Sequence, residues 1–187
     1  MINKENMIQL ACHKGDKGGF PDRLVSNVIK VATYEKECRK LFGTQFSHTE
    51  LIYPAWVREG SPYERQNCFS SRGMDDPRGV HFKQINFSHS DRWVILPVLW
   101  LNAEQIKESF KLAESFVGLD YDYLGVIRRF GLKRKDEDDP KKMWCSEADS
   151  KALNVSNSIQ LNSLNSPNEL ALQVYKYNCN YNSQFRC

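Results

Sequence analysis

The chain has 187 residues and a formal net charge of +3 at pH 7. This length suits one domain whose hydrophobic core is large enough to fold without disulfide bonds or a bound metal ion. The charge is too small to indicate nucleic-acid binding on its own. Apolar runs stay well below the roughly 20 residues of a membrane span, and the N-terminus lacks the apolar core of a secretory signal. We therefore expect no membrane span and a cytoplasmic location.

The cysteines are scattered along the chain and include no Cys-x-x-Cys pair. This pattern predicts neither a zinc site nor a disulfide framework, and reduced thiols are the expectation. The six cysteines are Cys12, Cys38, Cys68, Cys145, Cys179 and Cys187.

The first half of the chain predicts mainly strands. Met7–Cys12 reads as a short strand, and the apolar spacing after Asp22 predicts a helix that Gly43 ends. A strand containing His48 follows. Further strands are predicted at Asn67–Ser71, Val80–Ile85 and Trp93–Leu99.

The second half predicts helices. A helix over Ala103–Val117 begins at a capping box formed by Asn102 and Gln105. A second helix is predicted over Cys145–Leu153, and Ser166-Pro167-Asn168-Glu169 reads as the start of a third. Between the first two, residues 133–142 form a charged stretch, read as a solvated loop with a mobile flap as the alternative. A polar tail covers residues 173–187, and the whole chain 1–187 is read as one domain.

A histidine and a glutamate share one face of the predicted central strand. Side chains at i and i+2 of a strand point the same way, so His48 lies beside Glu50, between Phe46 and Ile52. A carboxylate next to an imidazole fixes its tautomer and stabilises its cationic form. The pair is therefore a candidate base with an orienting group. Its simpler alternative is a buried strand histidine beside a solvent-facing glutamate.

Cys145 is the candidate nucleophile. It falls in the first turn of a predicted helix, where unpaired backbone amides favour a thiolate and can stabilise an oxyanion. An adjacent imidazole would complete a thiolate–imidazolium pair. Glu147 and Asp149 suit the same helix start but oppose thiolate formation. The alternative for Cys145 is an inert buried thiol.

Three aromatic or histidine side chains complete the candidate set. Tyr121 is the preferred residue beside the cleft, and Trp144 is the second substrate-binding candidate, with core packing as the alternative for both. His81 alternates with Lys83 along its strand, and we expect it at the surface rather than in the cleft.

The order of these motifs resembles the circularly permuted papain-like hydrolases of the NlpC superfamily, specifically the YiiX-like group. In ordinary members the cysteine helix precedes the histidine strand, whereas here it follows. The resemblance extends from about Asp16 to Leu172. It is carried by Phe46–Tyr53, Phe69–Ser71 with Gly79–Phe82, Gly118–Asp122, Trp144–Glu147 and Ser166–Leu170.

This resemblance implies an α+β fold in which an antiparallel, barrel-like sheet packs against the cysteine helix. It also implies a cysteine peptidase or amidase with Cys145 as nucleophile, His48 as base and Glu50 as its orienting residue, and with no metal or cofactor. The implied substrate is a peptide, a peptidoglycan-derived peptide or a lipid amide.

Two further functions stay open at this point. The same residues could serve an acyltransferase or thioesterase acting on a lipid-like substrate. A non-catalytic binding or virion protein could keep the fold without the activity. Because many relatives carry an export signal that this chain lacks, a cytoplasmic or phage-encoded protein fits better than a periplasmic wall-cleaving enzyme.

Overall fold

The protein combines a five-stranded antiparallel sheet with helices, as the expected α+β class requires. The computed structural model describes residues 4–15, 27–73, 78–87, 91–131, 139–156 and 159–184. The strand order is β4-β3-β2-β1-β5, so β2, which carries His48 and Glu50, is the central strand. The strands are β1 (Gln9–His13), β2 (His48–Ile52), β3 (Cys68–Arg72), β4 (Gly79–Lys83) and β5 (Trp93–Pro97).

Helices lie between and after these strands in the chain. A 3-10 turn covers Lys4–Asn6, and a π-helical turn over Ile127–Gly131 directly follows the helix that ends at Val126. The helices are α1 (helical over 27–32), α2 (Lys36–Phe42), α3 (Ala55–Arg58), α4 (Ala103–Phe116), α5 (Tyr123–Val126), α6 (Cys145–Leu153) and α7 (Pro167–Gln184).

The predicted helix starts of α4 and α7 are confirmed by their capping contacts. Asn102 Oδ1 accepts from the Gln105 amide, and Gln105 Oε1 accepts from the Asn102 amide, each at 3.0 Å. Ser166 and Glu169 make the same reciprocal pair at the start of α7, at 3.2 and 2.8 Å. Each box satisfies two amides that a helix start leaves without intrahelical partners.

Alternate strand residues form two chemically different faces of the sheet. The helix face packs on α4 and α6: the Phe82 ring lies 5.3 Å from that of Phe110, and Ser71 Oγ donates to the Met143 carbonyl at 2.6 Å. The helix face comprises Leu10, Cys12, Thr49, Leu51, Phe69, Ser71, Val80 and Phe82. The polar face comprises Ala11, His13, His48, Glu50, Cys68, Ser70, Arg72, His81 and Lys83.

The main hydrophobic core lies on the helix face. Leu51 and Phe69 from the sheet are buried with Phe110 of α4 and Ala148 of α6. Burial of apolar surface is the dominant favourable contribution to folding, at about 25 cal/mol per Å². This packing fixes the position of α6, and therefore of Cys145, against the central strand.

Two predicted segments differ in the structure. The single helix predicted before Gly43 is interrupted, because the Gln45 side chain accepts from the Glu35 amide at 2.9 Å and donates to the Glu35 carbonyl at 2.8 Å. Its predicted start at Asp22 lies outside the described residues. Gly43 does end α2, in the left-handed conformation (φ 72°) that favours glycine.

The prediction of a polar tail over residues 173–187 is wrong for most of that range. Residues 173–184 continue α7, whose Val174 is fully buried. Asn178 helps to hold this part of α7 against the sheet. Its side chain accepts from the Leu99 amide at 3.1 Å and donates to the Pro97 carbonyl at 2.6 Å. In the charged stretch, residues 133–138 lie outside the described part of the chain. Lys142 forms a parallel bridge with Asp120.

Candidate active site

The His48–Glu50 pair predicted from the sequence is present on β2. His48 Nε2 lies 3.0 Å from Glu50 Oε1. A carboxylate oxygen has no proton to donate when ionised, so this contact requires the proton on Nε2. The neutral imidazole then carries its lone pair on Nδ1. Among the described residues, Nδ1 has no hydrogen-bond partner, and the His48 side chain is 13% exposed.

Glu50 is fully buried, yet it sits among donors from the two neighbouring strands. Oε1 lies 2.8 Å from Arg72 Nη2 and 3.1 Å from Lys83 Nζ. Ser70 Oγ donates to Oε1 at 3.2 Å, and the Cys68 thiol donates to Oε2 at 2.9 Å. Burial raises the pKa of this carboxyl, but the bond from His48 and the charges of Arg72 and Lys83 hold its pKa well below the usual range. Glu50 is therefore an ionised carboxylate.

The His48 imidazole is neutral at physiological pH. Its burial, reinforced by the nearby Arg72 charge, lowers its pKa to about 4, although Glu50 opposes the shift. Arg72 Nε lies 3.1 Å from His48 Nε2 and 3.0 Å from Glu50 Oε1. Because the carboxylate is the stronger acceptor, Arg72 is bound mainly by Glu50.

Cys145 is the first residue of α6, as predicted, and its thiol reaches the backbone of the central strand. The Thr49 amide and the Ser146 amide both hydrogen-bond to the sulfur and lower its pKa. Burial outweighs them and raises the pKa to about 12, because the residue is only 3% exposed. The predicted activation of Cys145 as a thiolate is therefore not found in the resting protein.

Strand alternation separates the thiol from the imidazole. Thr49 points to the helix face, where α6 packs, whereas His48 and Glu50 point to the polar face. Within the described part of the chain, no hydrogen bond joins Cys145 to His48. The sulfur nevertheless lies at the Thr49 amide, whose nitrogen is bonded to the carbonyl carbon of His48. The structure thus brings the two residues to the same point of β2 without direct contact.

A second buried carboxyl lies one turn after Cys145. Asp149 is fully buried, and neither oxygen has a hydrogen-bond partner of good geometry among the described residues. Burial raises its pKa well above the usual range, the Thr49 hydroxyl partly offsets this, and the Glu50 charge adds to it. Burial therefore favours the neutral, protonated form of Asp149. A charged Asp149 would raise the pKa of the Cys145 thiol further.

The two aromatic candidates take different positions. Tyr121 is half-buried beside Cys145: burial raises the pKa of its hydroxyl, and the neighbouring Cys145 adds to the rise. Its ring centroid lies 4.8 Å from that of Tyr123. Trp144 is 2% exposed, and its indole N–H donates to the Asn165 carbonyl at 3.1 Å. This burial fits the packing alternative given for Trp144, and its indole helps to fix the start of α6; its role as a substrate contact stays a prediction.

Sequence reasoning missed most of the groups around Glu50. Arg72 and Ser70 lie on the strand next to β2, and Lys83 lies one strand further. The alternation Cys68-x-Ser70-x-Arg72 predicts that these three side chains share one face of their strand. Only the pairing register of the strands places that face against Glu50. The surface position expected for His81 is wrong: it is 5% exposed, and its Nδ1 lies 2.9 Å from the Gly79 carbonyl.

Comparisons of the whole chain with family models and with curated proteins found no match. Over the described residues, no cluster of three or more His, Cys, Asp or Glu side chains has a metal-binding arrangement. Within the same part of the chain, every helix is too short or too polar to cross a bilayer.

Proposed function

We propose that the protein is a cysteine hydrolase of the peptidase or amidase type with a permuted papain-like topology. Cys145 is the nucleophile, His48 is the general base and acid, and Glu50 orients His48. The observation that carries the proposal is the meeting of Cys145 with the His48-Thr49-Glu50 segment: the thiol contacts the amide between the base and its orienting residue.

The tautomer of His48 supports this assignment. Glu50 accepts from Nε2–H at 3.0 Å, which leaves the basic Nδ1 without a bond to a described residue. An imidazole held by a carboxylate at one nitrogen and open at the other is the arrangement that a general base needs. Catalytic hydrogen bonds are often long before substrate binds, so the missing thiol contact is compatible with the role.

The reaction follows from these groups. The Cys145 sulfur attacks the carbonyl carbon while its proton passes to His48 Nδ1, and the tetrahedral intermediate forms. His48 returns that proton to the leaving amine as the C–N bond breaks, which leaves a thioester on Cys145. Water, deprotonated by His48, then attacks the thioester and releases the acid and the free thiol.

The resting site is a neutral pair. With a thiol pKa of about 12 and an imidazole pKa of about 4, the proton that can move between sulfur and His48 Nδ1 rests on sulfur. Proton transfer must therefore accompany attack, in contrast to enzymes that store a thiolate–imidazolium pair. We expect that general-base step to contribute about 10²–10⁴-fold to the rate.

The test measures acylation of Cys145 with N-acetylalanine p-nitroanilide and p-nitrophenyl acetate, followed by peptide mass mapping. The wild-type protein should form an acyl adduct at Cys145. His48→Ala should slow adduct formation by about 10²–10⁴-fold, and Cys145→Ala should abolish it.

Cys179 provides the matched control, because its thiol is exposed. Acylation of Cys179 should be unchanged in His48→Ala. Turnover retained by Cys145→Ala would reject the proposal. An adduct at Cys145 that forms as fast in His48→Ala as in the wild-type protein would also reject it.

One observation favours a second function, a non-catalytic binding protein that keeps this fold. Cys145 is nearly inaccessible, its thiol is neutral, and it makes no bond to His48 within the described residues. The same experiment separates the two functions: a binding protein would leave Cys145 less acylated than Cys179 in every variant.

A further inference from the structure

One arginine lies at the junction of the two halves of the candidate site. Arg72 is the last residue of β3, and its side chain is 29% exposed. The preceding residue, Ser71, points to the helix face, where its hydroxyl donates to the Met143 carbonyl at 2.6 Å, two residues before Cys145. The end of β3 is therefore fixed beside the start of α6, while the Arg72 side chain lies on the polar face.

The Arg72 guanidinium binds one oxygen of the Glu50 carboxylate. Its Nη2 and Nε lie 2.8 and 3.0 Å from Glu50 Oε1, the same oxygen that accepts from His48 Nε2–H. Charge-assisted bonds from a planar guanidinium are stronger than neutral bonds and fix the orientation of a carboxylate. The orientation of Glu50, and through it that of His48, therefore depends on Arg72.

The same guanidinium opposes a positive charge on the imidazole. Burial lowers the pKa of His48, and the Arg72 charge, with Nε 3.1 Å from His48 Nε2, lowers it further and by more than Lys83 does. Glu50 acts in the opposite direction. His13 faces His48 from β1 as its register partner. Removal of the Arg72 charge should therefore let His48 take up a proton at higher pH.

The charge of Arg72 also acts on the nucleophile. Burial raises the pKa of the Cys145 thiol and of the Tyr121 hydroxyl, and the Arg72 charge lowers both. Asp149, one turn further along α6, adds to the rise at Cys145. The same cation therefore favours negative charge on the sulfur and opposes positive charge on the imidazole.

We propose that Arg72 is a positioning residue of this site, which holds Glu50 against His48 and keeps the resting imidazole neutral. The inference rests on the proposed hydrolase, because a general base must be unprotonated before it can accept the thiol proton. Arg72 acts through Glu50 and His48 rather than on the reacting atoms. Its charge extends the pH range in which His48 is ready to act toward acid.

The first experiment is an NMR titration of His48 in the full chain, which needs no substrate. Arg72→Gln should raise the midpoint from about 4 by roughly one pH unit, a tenfold change in proton affinity. Arg72→Ala is a second neutral variant with the same expected shift, and Arg72→Lys, which keeps the charge, should restore most of it.

Lys83→Gln is the matched control for this titration. It removes another cation, 3.1 Å from the same Glu50 oxygen, and should shift the His48 midpoint less than Arg72→Gln does. An unchanged midpoint in the two neutral variants of Arg72, or an equal shift in Lys83→Gln, would overturn the proposal.

The second experiment measures the pH dependence of Cys145 acylation by p-nitrophenyl acetate. In Arg72→Gln the acid limb should move to higher pH by the same amount as the NMR midpoint, and Arg72→Lys should bring it back. A purely structural role would lower the rate by the same factor at every pH, which would contradict the proposal. Absence of an adduct at Cys145 in the wild-type protein would reject the hydrolase itself, whereas an unchanged NMR midpoint rejects the role of Arg72 alone.

Discussion

Glu50 and Asp149 are two fully buried carboxyl groups on opposite sides of the central strand, and their chemistry is opposite. Glu50 lies among His48, Arg72 and Lys83 on the polar face, and its pKa is held well below the usual range. Asp149 lies on the helix face without a hydrogen-bond partner of good geometry in the described structure, and its pKa is raised well above that range. Burial alone raises both, so the partners decide the charge state.

This contrast also accounts for the two halves of the candidate site. The polar face keeps an ionised carboxylate, which fixes the tautomer of His48 and leaves Nδ1 as the base. On the helix face, burial favours the neutral forms of Asp149 and of the Cys145 thiol. A thiol and a base that meet at Thr49 therefore start from a state in which neither carries charge.

The largest expected effect is that of Glu50→Gln on stability. The change leaves Arg72 and Lys83 facing a neutral amide, and removal of one partner from a buried charge cluster costs about 3–5 kcal/mol. Urea unfolding at neutral pH measures it. Glu104→Gln is the matched control, because its pair with Lys107 at 3.1 Å is exposed and should contribute at most about 1 kcal/mol. A loss at Glu50 no larger than that of the control would contradict the ionised assignment.

A smaller effect is expected from the titration of His48. Its pKa falls from 6.5 in the unfolded chain to about 4 in the fold, so the unfolded state binds the proton first as pH decreases. The contribution of His48 to stability is therefore full above pH 6.5 and decreases as pH falls toward 4, at about 1.4 kcal/mol per pH unit at most. Urea unfolding between pH 7 and pH 5.5 measures the slope, above the range in which protonation of Glu50 in the unfolded chain, near pH 4.5, adds to the loss.

His48→Gln should flatten this slope while retaining an amide donor for Glu50. His13→Gln, on the adjacent strand β1, is the control and should leave the His48 contribution in place. A slope that persists unchanged in His48→Gln would show that the acid loss originates elsewhere.

The smallest expected effect is that of Asp149→Asn, and its sign is opposite. Because the folded pKa of Asp149 is raised, its contribution is full below the unfolded value of 3.8 and is lost as pH rises above it. An asparagine has no proton to lose, so the variant should be about 1 kcal/mol more stable than the wild type at neutral pH, and less so near pH 4.

The matched control for this gain is Asp139→Asn, whose side chain is 44% exposed and should change stability by less than about 0.5 kcal/mol. Asp149→Asn that is less stable than the wild type at neutral pH, by the same urea measurement, would show that Asp149 is ionised in the fold.

Much of the fold could be predicted from local patterns. The capping boxes of α4 and α7, the start of α6 at Cys145 and all five strands follow from residue type and spacing, because these features depend on neighbours in the sequence. The pairing of His48 with Glu50 was equally predictable, since a strand turns alternate side chains to one face.

The continuation of α7 could not be predicted in the same way. Residues 173–184 carry Val174, Tyr177 and Tyr181 at helical spacing, but the asparagines between them have a low helix propensity and dilute the pattern. The helix is also held by distant partners, such as the Pro97 carbonyl that receives the Asn178 side chain. The break before α2 likewise depends on a side chain ten residues away, Gln45.

The sequence by itself determined the strand that bears His48 and Glu50, the helix that begins at Cys145, and the residue types available for chemistry. Only the tertiary structure decided the charges on these groups and the faces they occupy. A pKa depends on desolvation and on the groups within a few ångströms, and for Glu50 those groups are Arg72 and Lys83, more than 20 residues away along the chain. Strand register and helix packing, not local spacing, bring them there.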